Sequence, residues 1–199
     1  MNKDWDGNGN SVFKLLGASN HVDFDRANFD YYATDPIAAK WLLQIEPNLS
    51  NTIWECACGE NHLANIFKDA GKNVRCSDIV VRQPDIEQLD FLACNTPMHD
   101  ADIVTNPPYK YALQFVEKAL SLVDENRLVC MFLKLTFLEG KARRMFFNEN
   151  PPIRIHVSSS RINCELNGIS DKNKQSAVCY AWFVWQKGFK GYPELHWFN

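Results

Sequence analysis

Two hydrophobic rhythms alternate along the chain. Runs rich in β-branched and aromatic residues at 51–56, 73–76, 101–105, 127–135, 153–158 and 177–186 read as strands. Between them, apolar residues recur at helical spacing. Ile37, Trp41, Leu42 and Ile45 define a helix over 36–46, and Leu113, Val116, Leu120 and Val123 one over 111–123. Shorter helices are predicted over 63–70, closed by Gly71, and over 141–148. Thr34 or Asp35 can cap the first helix, with Pro36 at its first position. Strands alternating with helices imply an α/β fold: a mostly parallel sheet with helices on both faces. The last two strands have no helix between them, which predicts an antiparallel hairpin at the C-terminal edge.

The chain has 199 residues, 46% of them hydrophobic, which suits one sizeable core and one domain. No apolar run reaches membrane-spanning length, and residues 1–10 are too polar for a signal peptide. Residues 1–30 are polar and turn-rich and are expected to form an arm ahead of a domain over 31–199. Seven scattered cysteines, several in strand-like runs, read as reduced thiols of a cytoplasmic protein. Cys56, Cys58 and His62 lie close together, but no second Cys/His pair follows at finger-like spacing, so no metal site is expected.

Net charge is −3. Its distribution says more. Residues 1–139 carry 12 basic and 20 acidic side chains, whereas 140–199 carry 9 and 4. Lys141, Arg143, Arg144, Arg154, Arg161, Lys172 and Lys174 can form a face for phosphates, or simply a solvated surface.

The most informative segment is Ile103-Val104-Thr105-Asn106-Pro107-Pro108-Tyr109. A buried strand ends there, and two prolines fix a rigid extended turn. Open α/β sheets bind ligands at the carboxyl ends of their strands. At that edge stand an amide (Asn106), a carbonyl (Pro107) and an aromatic ring (Tyr109). A planar substrate with an exocyclic amino group suits them: two acceptors for its N–H groups and a ring to stack on. Asn-Pro-Pro alone also describes an ordinary turn. Tyr109 and the acids upstream set this one apart.

Those acids come in order. Trp54-Glu55-Cys56-Ala57-Cys58-Gly59-Glu60 follows the first core strand, where a glycine permits close approach of a ligand and an acid can bind ammonium or hydroxyl groups. A single glycine falls short of the dinucleotide fingerprint, which disfavours a pyrophosphate ligand. Asp78 ends the next strand, where an acid hydrogen-bonds ribose hydroxyls in nucleoside-binding folds, and Ile79 can cover an adenine face. Asp90-Phe91 precedes the Pro-Pro strand. Singly, each acid also reads as a cap or a surface carboxylate.

Taken together, these residues resemble the class I S-adenosylmethionine-dependent methyltransferases that modify the adenine amino group of DNA, most closely the small stand-alone enzymes of phages and prophages. Asn106-Pro107-Pro108-Tyr109 matches the catalytic tetrapeptide. Glu55 to Gly59, with Cys56 between them, matches the methionine loop, although the family often has a second glycine where Asn61 stands. Asp78 with Ile79 matches the ribose element, and Asp90-Phe91 the adenine-contacting pair. Tyr31-Tyr32-Ala33-Thr34-Asp35-Pro36 resembles the Tyr-x-Thr-Pro element, whose threonine helps hold the methionine end; here Asp35 is interposed. Leu16-Gly17-Ala18-Ser19-Asn20-His21 also looks typical of the phage group. The resemblance covers nearly the whole chain and implies a Rossmann-like domain and S-adenosylmethionine as cofactor, with no metal. It also implies methyl transfer to adenine N6 in DNA, within a bacterial cytoplasm. Asn106, Pro107 and Tyr109 would act on the base, and Asn106 would also border the cofactor. Tyr32, Thr34, Glu55, Cys56, Gly59, Asp78, Ile79, Asp90 and Phe91 would hold the cofactor. Pro108, Tyr109, Lys141, Arg143, Arg161, Lys172 and Lys174 would meet DNA.

The same tetrapeptide serves enzymes that methylate RNA adenines or a protein glutamine amide, and cytosine N4 methylation uses similar geometry. The protein-glutamine enzymes usually carry a helical N-terminal domain, for which residues 1–30 are too short and polar. A catalytically silent binding module is a further alternative, disfavoured by intact Asn106 and Tyr109. No large target-recognition domain fits, so specificity falls to residues 136–150, the loop over 161–176 and the arm.

Overall fold

The computed structural model describes residues 32–160, 162, 164–166 and 178–199. Ten strands and four α-helices follow in chain order: β1 Tyr32–Thr34, α1 Ile37–Ile45, β2 Thr52–Glu55, α2 His62–Asp69, β3 Asn73–Asp78, β4 Glu87–Gln88, β5 Ala101–Thr105, α3 Ala112–Leu122, β6 Leu128–Lys134, α4 Lys141–Glu149, β7 Arg154–Ser158, β8 Cys164–Leu166, β9 Tyr180–Gln186 and β10 Glu194–Phe198.

Eight strands form one sheet in the order β10-β7-β9-β6-β5-β2-β3-β4. Pairing is parallel throughout except for β9, which runs antiparallel to both β6 and β7. The expected hairpin partners, β7 and β9, do pair antiparallel. A strand not foreseen, β10, pairs parallel to β7 and forms the outer edge. Two three-residue strands, β1 and β8, make a separate antiparallel ladder with Thr34 opposite Cys164.

Alternation along the strands divides the core into two layers. Trp54, Ile103, Val129, Met131, Phe183 and Trp185 face α3 and α4 through Phe115, Val116, Ala119 and Phe146. Their strand neighbours Ile53, Val104, Cys130, Phe132, Trp182 and Val184 face α1 and α2 through Ala38, Leu42, Leu63 and Phe67. Helices therefore cover both faces, as a parallel sheet requires. No described helix is long and apolar enough to cross a membrane, and all seven cysteines are free thiols.

Buried polar groups pin this frame. Asp102 on β5 accepts from the amides of Ser50 (2.6 Å) and Leu128 (2.9 Å), tying the lower ends of neighbouring strands. Glu46, just past α1, takes Arg154 at 2.6 and 2.7 Å and lies 2.7 Å from His156 Nε2, locking α1 to β7.

Candidate active site

The chain winds outward from β2 to β3 and β4, then returns past β2 to place β5 on its other side. Such a reversal opens a crevice at the carboxyl ends of the two central strands. Here β2 ends in Glu55 and β5 runs into Asn106-Pro107-Pro108-Tyr109. A cleft of about 420 Å³ lies beside them. Cys56, Asp78, Ile79, Asp90, Phe91, Asn106 and Pro108 all line it. A smaller cavity of about 20 Å³ is lined by Thr34, Glu55, Cys58, His62 and again Asn106. Asn106 is thus shared by the two.

The loop after β2 takes a shape its sequence explains. Gly59 has φ 56°, and its amide donates to Asp78 Oδ2 at 2.9 Å. Asn61 adopts φ 65°, the left-handed region that glycine favours and asparagine tolerates better than most residues. Its side-chain amide donates to Asp85 at 2.9 Å, and Asp85 in turn holds Lys68 at 2.7 Å. Asparagine therefore suits this position, because its backbone reaches the left-handed region and its side chain is tied down.

Glu55 and Asp78 differ in their hydrogen-bond partners. Asp78 is well supplied: Oδ2 takes Gly59, and Oδ1 takes the Val80 amide at 2.9 Å with Arg82 at 3.5 Å. Glu55 is buried, and its Oε2 has no hydrogen-bond partner. Burial pushes its carboxyl well above the ordinary value, and Cys76 and Asp78 add to the rise. A ligand cation placed there would be attracted and would return Glu55 to its charged form.

Asn106 is held on one side only. Its Nδ2 donates to Thr34 Oγ1 at 2.6 Å, while its buried Oδ1 has no partner. Leaving a buried acceptor unpaired costs about 1–3 kcal/mol, so this atom is poised for a donor. Pro107 is buried, and after Pro108 the chain enters a tight turn, with the Tyr111 amide bonded to the Pro108 carbonyl at 2.9 Å. The Tyr109 ring lies between the two core layers, 6.1 Å from the Tyr180 ring, with the Lys134 ammonium 4.5 Å from its centroid. Burial, with Cys164 and Tyr180 beside it, pushes its hydroxyl well above the ordinary value.

The remaining sequence candidates scatter. Lys141 and Arg144 are exposed on α4. Arg143 is instead folded onto its own loop: its guanidinium covers the Phe137 ring at 5.0 Å and donates to the carbonyls of Thr136 and Glu139. Arg161, Lys172, Lys174 and the side chain of Tyr32 lie outside the described residues. Sequence reasoning passed over Arg82, Leu89, Leu92, Tyr111 and Phe115, which also line the main cleft. Leu92 could have been found, since it directly follows the Asp90-Phe91 pair. Arg82 could not, because only the turn after β3 brings it back beside Asp78.

No protein-family profile matches this chain, and no curated protein is similar to it in sequence. Solved structures do match. A Pyrococcus horikoshii protein assigned as an RNA methyltransferase superposes with a TM-score of 0.60 at 13% identity, over 88% of this chain and 96% of that one. A Listeria monocytogenes protein assigned to the class I S-adenosylmethionine-dependent methyltransferases gives 0.54 at 13% identity, over 82% of this chain and 62% of its own length. The fold is the class I methyltransferase fold. The type IIG restriction endonuclease BpuSI contains it too, matching 90% of this chain but 27% of its own at a TM-score of 0.55 and 16% identity.

Proposed function

We propose that this chain transfers a methyl group from S-adenosylmethionine to the N6 amine of adenine in DNA. The observation that carries the reading is the unpaired, buried Oδ1 of Asn106, at a residue that borders both cavities beside an acid-lined cleft. Residues 31–199 act as the catalytic domain, and residues 1–30 as an N-terminal arm.

The cavities fit the cofactor in its parts. Asp78 and Ile79 hold the ribose and one adenine face, and Asp90 and Phe91 the adenine edge. Cys56 lines the same cleft, and Gly59 shapes it by holding Asp78. In the smaller cavity, the buried Glu55 carboxyl suits an ammonium beside Thr34, and Tyr32 is proposed for the same methionine end. When bound, S-adenosylmethionine supplies an electrophilic methyl on a sulfonium sulfur.

The protein's work is on the acceptor. An adenine amine is a weak nucleophile because its lone pair is delocalised into the ring. Asn106 Oδ1 and the Pro107 carbonyl accept its two N–H bonds, which draws the nitrogen toward tetrahedral geometry and points its lone pair at the methyl. The N–C bond forms as the C–S bond breaks, the electron pair stays on sulfur, and the surplus proton leaves to water. The base must leave the duplex to arrive there, resting on Pro108 and, once the Lys134 ammonium leaves that ring's face, stacking on Tyr109. Lys141, Arg143, Arg161, Lys172 and Lys174 were the cations expected at the phosphates. Of the two on α4, exposed Lys141 suits that role better than Arg143, whose guanidinium is already engaged. The enzyme acts in a bacterial cytoplasm, encoded by a phage or prophage.

RNA adenine is the second reading, favoured by the fold match to a protein assigned as an RNA methyltransferase. Incubating the chain with methyl-labelled cofactor and, separately, duplex DNA, single-stranded DNA, RNA and protein tests both. Label in DNA, released as N6-methyladenine, is expected. Label in RNA alone moves the acceptor to RNA, and label in protein alone or in none overturns the reading.

A further inference from the structure

The amino-acid end of S-adenosylmethionine carries two opposite charges on one carbon, an ammonium and a carboxylate. An ionised Glu55 attracts the first and repels the second, so an acid alone cannot hold both. The smaller cavity has room for about one water-sized group. That is the size of the ammonium and not of the whole end. The carboxylate is left at the cavity's rim.

We propose that His62 binds this carboxylate, as the cationic counterpart of Glu55; this rests on the methyl-transfer reading above. His62 lines the same cavity as Glu55, yet its side chain is 37% exposed while Glu55 is buried. The acid therefore lies inside and the imidazole at the edge. One helix fixes both. His62 opens α2, and the Ala64 amide in the same first turn donates to the Glu55 carboxyl, whose Oε2 meets no donor. Among the described residues lining this cavity, His62 alone has a side chain that can carry positive charge. The neighbouring cations are placed elsewhere. Lys68 is bonded to Asp85 at 2.7 Å, and Arg82 lines the main cleft beside Asp78. Glu60 lies 3.5 Å from His62 Nε2, but both side chains are more than a third exposed, and a pair of that kind is weak enough to exchange for a ligand anion. The dipole of α2 favours an anion at the same end.

Three ligands separate the two charges by titration calorimetry. S-adenosylhomocysteine carries both, its decarboxylated analogue keeps only the ammonium, and methylthioadenosine has neither. His62→Leu should weaken S-adenosylhomocysteine about 5- to 50-fold, the scale of one partly exposed charged hydrogen bond. It should leave the decarboxylated analogue within about twofold. Glu55→Gln should weaken both, because both keep the ammonium. Methylthioadenosine should bind every variant as it binds the natural chain, which also shows that each variant is folded. His62→Gln, which keeps a donor and loses the charge, should fall between leucine and histidine; it decides the matter if His62→Leu fails to bind methylthioadenosine. An unchanged affinity of the His62 variants for S-adenosylhomocysteine overturns the proposal. Equal losses for that ligand and its decarboxylated analogue overturn it too, by making His62 a residue that only shapes the loop. If the natural chain binds none of the three ligands, the methyl-transfer reading falls and the role of His62 with it. If the carboxylate-selective loss is found but no substrate is methylated, the role of His62 stands and the methyl-transfer reading alone falls.

Discussion

The Asp78 carboxylate accepts the Gly59 amide proton at 2.9 Å, so the acid ending β3 and the glycine loop after β2 form one unit. The same carboxylate also accepts the Val80 amide and lines the main cleft. Whatever binds there reads both strands at once.

Removing that carboxylate should therefore act twice, through a lost ligand contact and a loosened loop. Charged hydrogen bonds contribute about 1.5–3 kcal/mol each, so Asp78→Ala should weaken S-adenosylhomocysteine binding roughly 10- to 1000-fold. Titration calorimetry measures this, and an unchanged affinity removes Asp78 from the cofactor site.

Glu55 should make cofactor binding pH-dependent. Burial, first of all, raises its carboxyl in the empty protein, so the ligand-free site tends to hold a proton. An ammonium beside it favours the carboxylate, so binding expels that proton and affinity should fall as pH drops below the raised value. Calorimetry in buffers of different ionisation enthalpy counts the proton released. The sign for stability is opposite: a raised carboxyl penalises folding once the unfolded group, at about 4.3, has ionised. Glu55→Gln should accordingly leave the empty fold equal or more stable at neutral pH while weakening the cofactor, a trade of stability against binding.

The Glu46 cluster gives a stability prediction of the ordinary sign. Burial alone raises the Glu46 carboxyl, but hydrogen bonds and charge from His156 and Arg154 outweigh it and hold the group below its usual range. Its contribution is present above the unfolded carboxylate value of about 4.3 and is lost as pH falls through the lower folded value. Breaking a buried pair costs about 3–5 kcal/mol, so Glu46→Gln should lower Tm clearly at pH 7. The gap between the two proteins should shrink toward nothing near the acid end, and a gap independent of pH contradicts the account.

The frame was legible because its signals are local. Strand β5, Ala-Asp-Ile-Val-Thr, is buried at every position, and its end at 105 follows from Pro107 and Pro108 stopping the ladder. β1 and β8 were not legible, since three residues carry no usable period. β10 did alternate, as Glu-Leu-His-Trp-Phe, yet Leu195 and Trp197 point to solvent and only Phe198 is buried, so the pattern misstates what the strand packs. Cleft residues fixed by strand ends, such as Asp78 and Asn106, could be read from order alone. Side-chain engagement could not: nothing in Lys-Ala-Arg-Arg tells that Arg143 folds back onto Phe137 while its neighbours stay free of that ring. The same holds for Lys134 over Tyr109, a contact made between the end of β6 and the turn after β5.

The charge reading can be tested by salt titration of DNA binding. Each phosphate contact adds roughly 0.9 to the slope of log affinity against log salt. Lys141→Ala should reduce it by about that amount with Tm unchanged. Arg143→Ala should lower Tm, because it strips the loop of a guanidinium bonded to two carbonyls. Replacing Arg161, Lys172 and Lys174 together should reduce the slope by up to about 2.7. A flat response to that triple change leaves the α4 cations and the N-terminal arm as the DNA face.

The central claim is that Asn106 acts on the acceptor amine and not on the cofactor. Its test is nucleoside mass spectrometry of DNA from a methylation-free bacterial host expressing either the natural chain or Asn106→Ala, with cofactor affinity measured on both purified proteins. N6-methyladenine should appear with the natural chain and fall by at least about 100-fold with Asn106→Ala, while affinity for S-adenosylhomocysteine stays within about threefold, as expected for a contact made in the transition state. Methyladenine persisting in the variant, or cofactor affinity collapsing together with it, would contradict the claim.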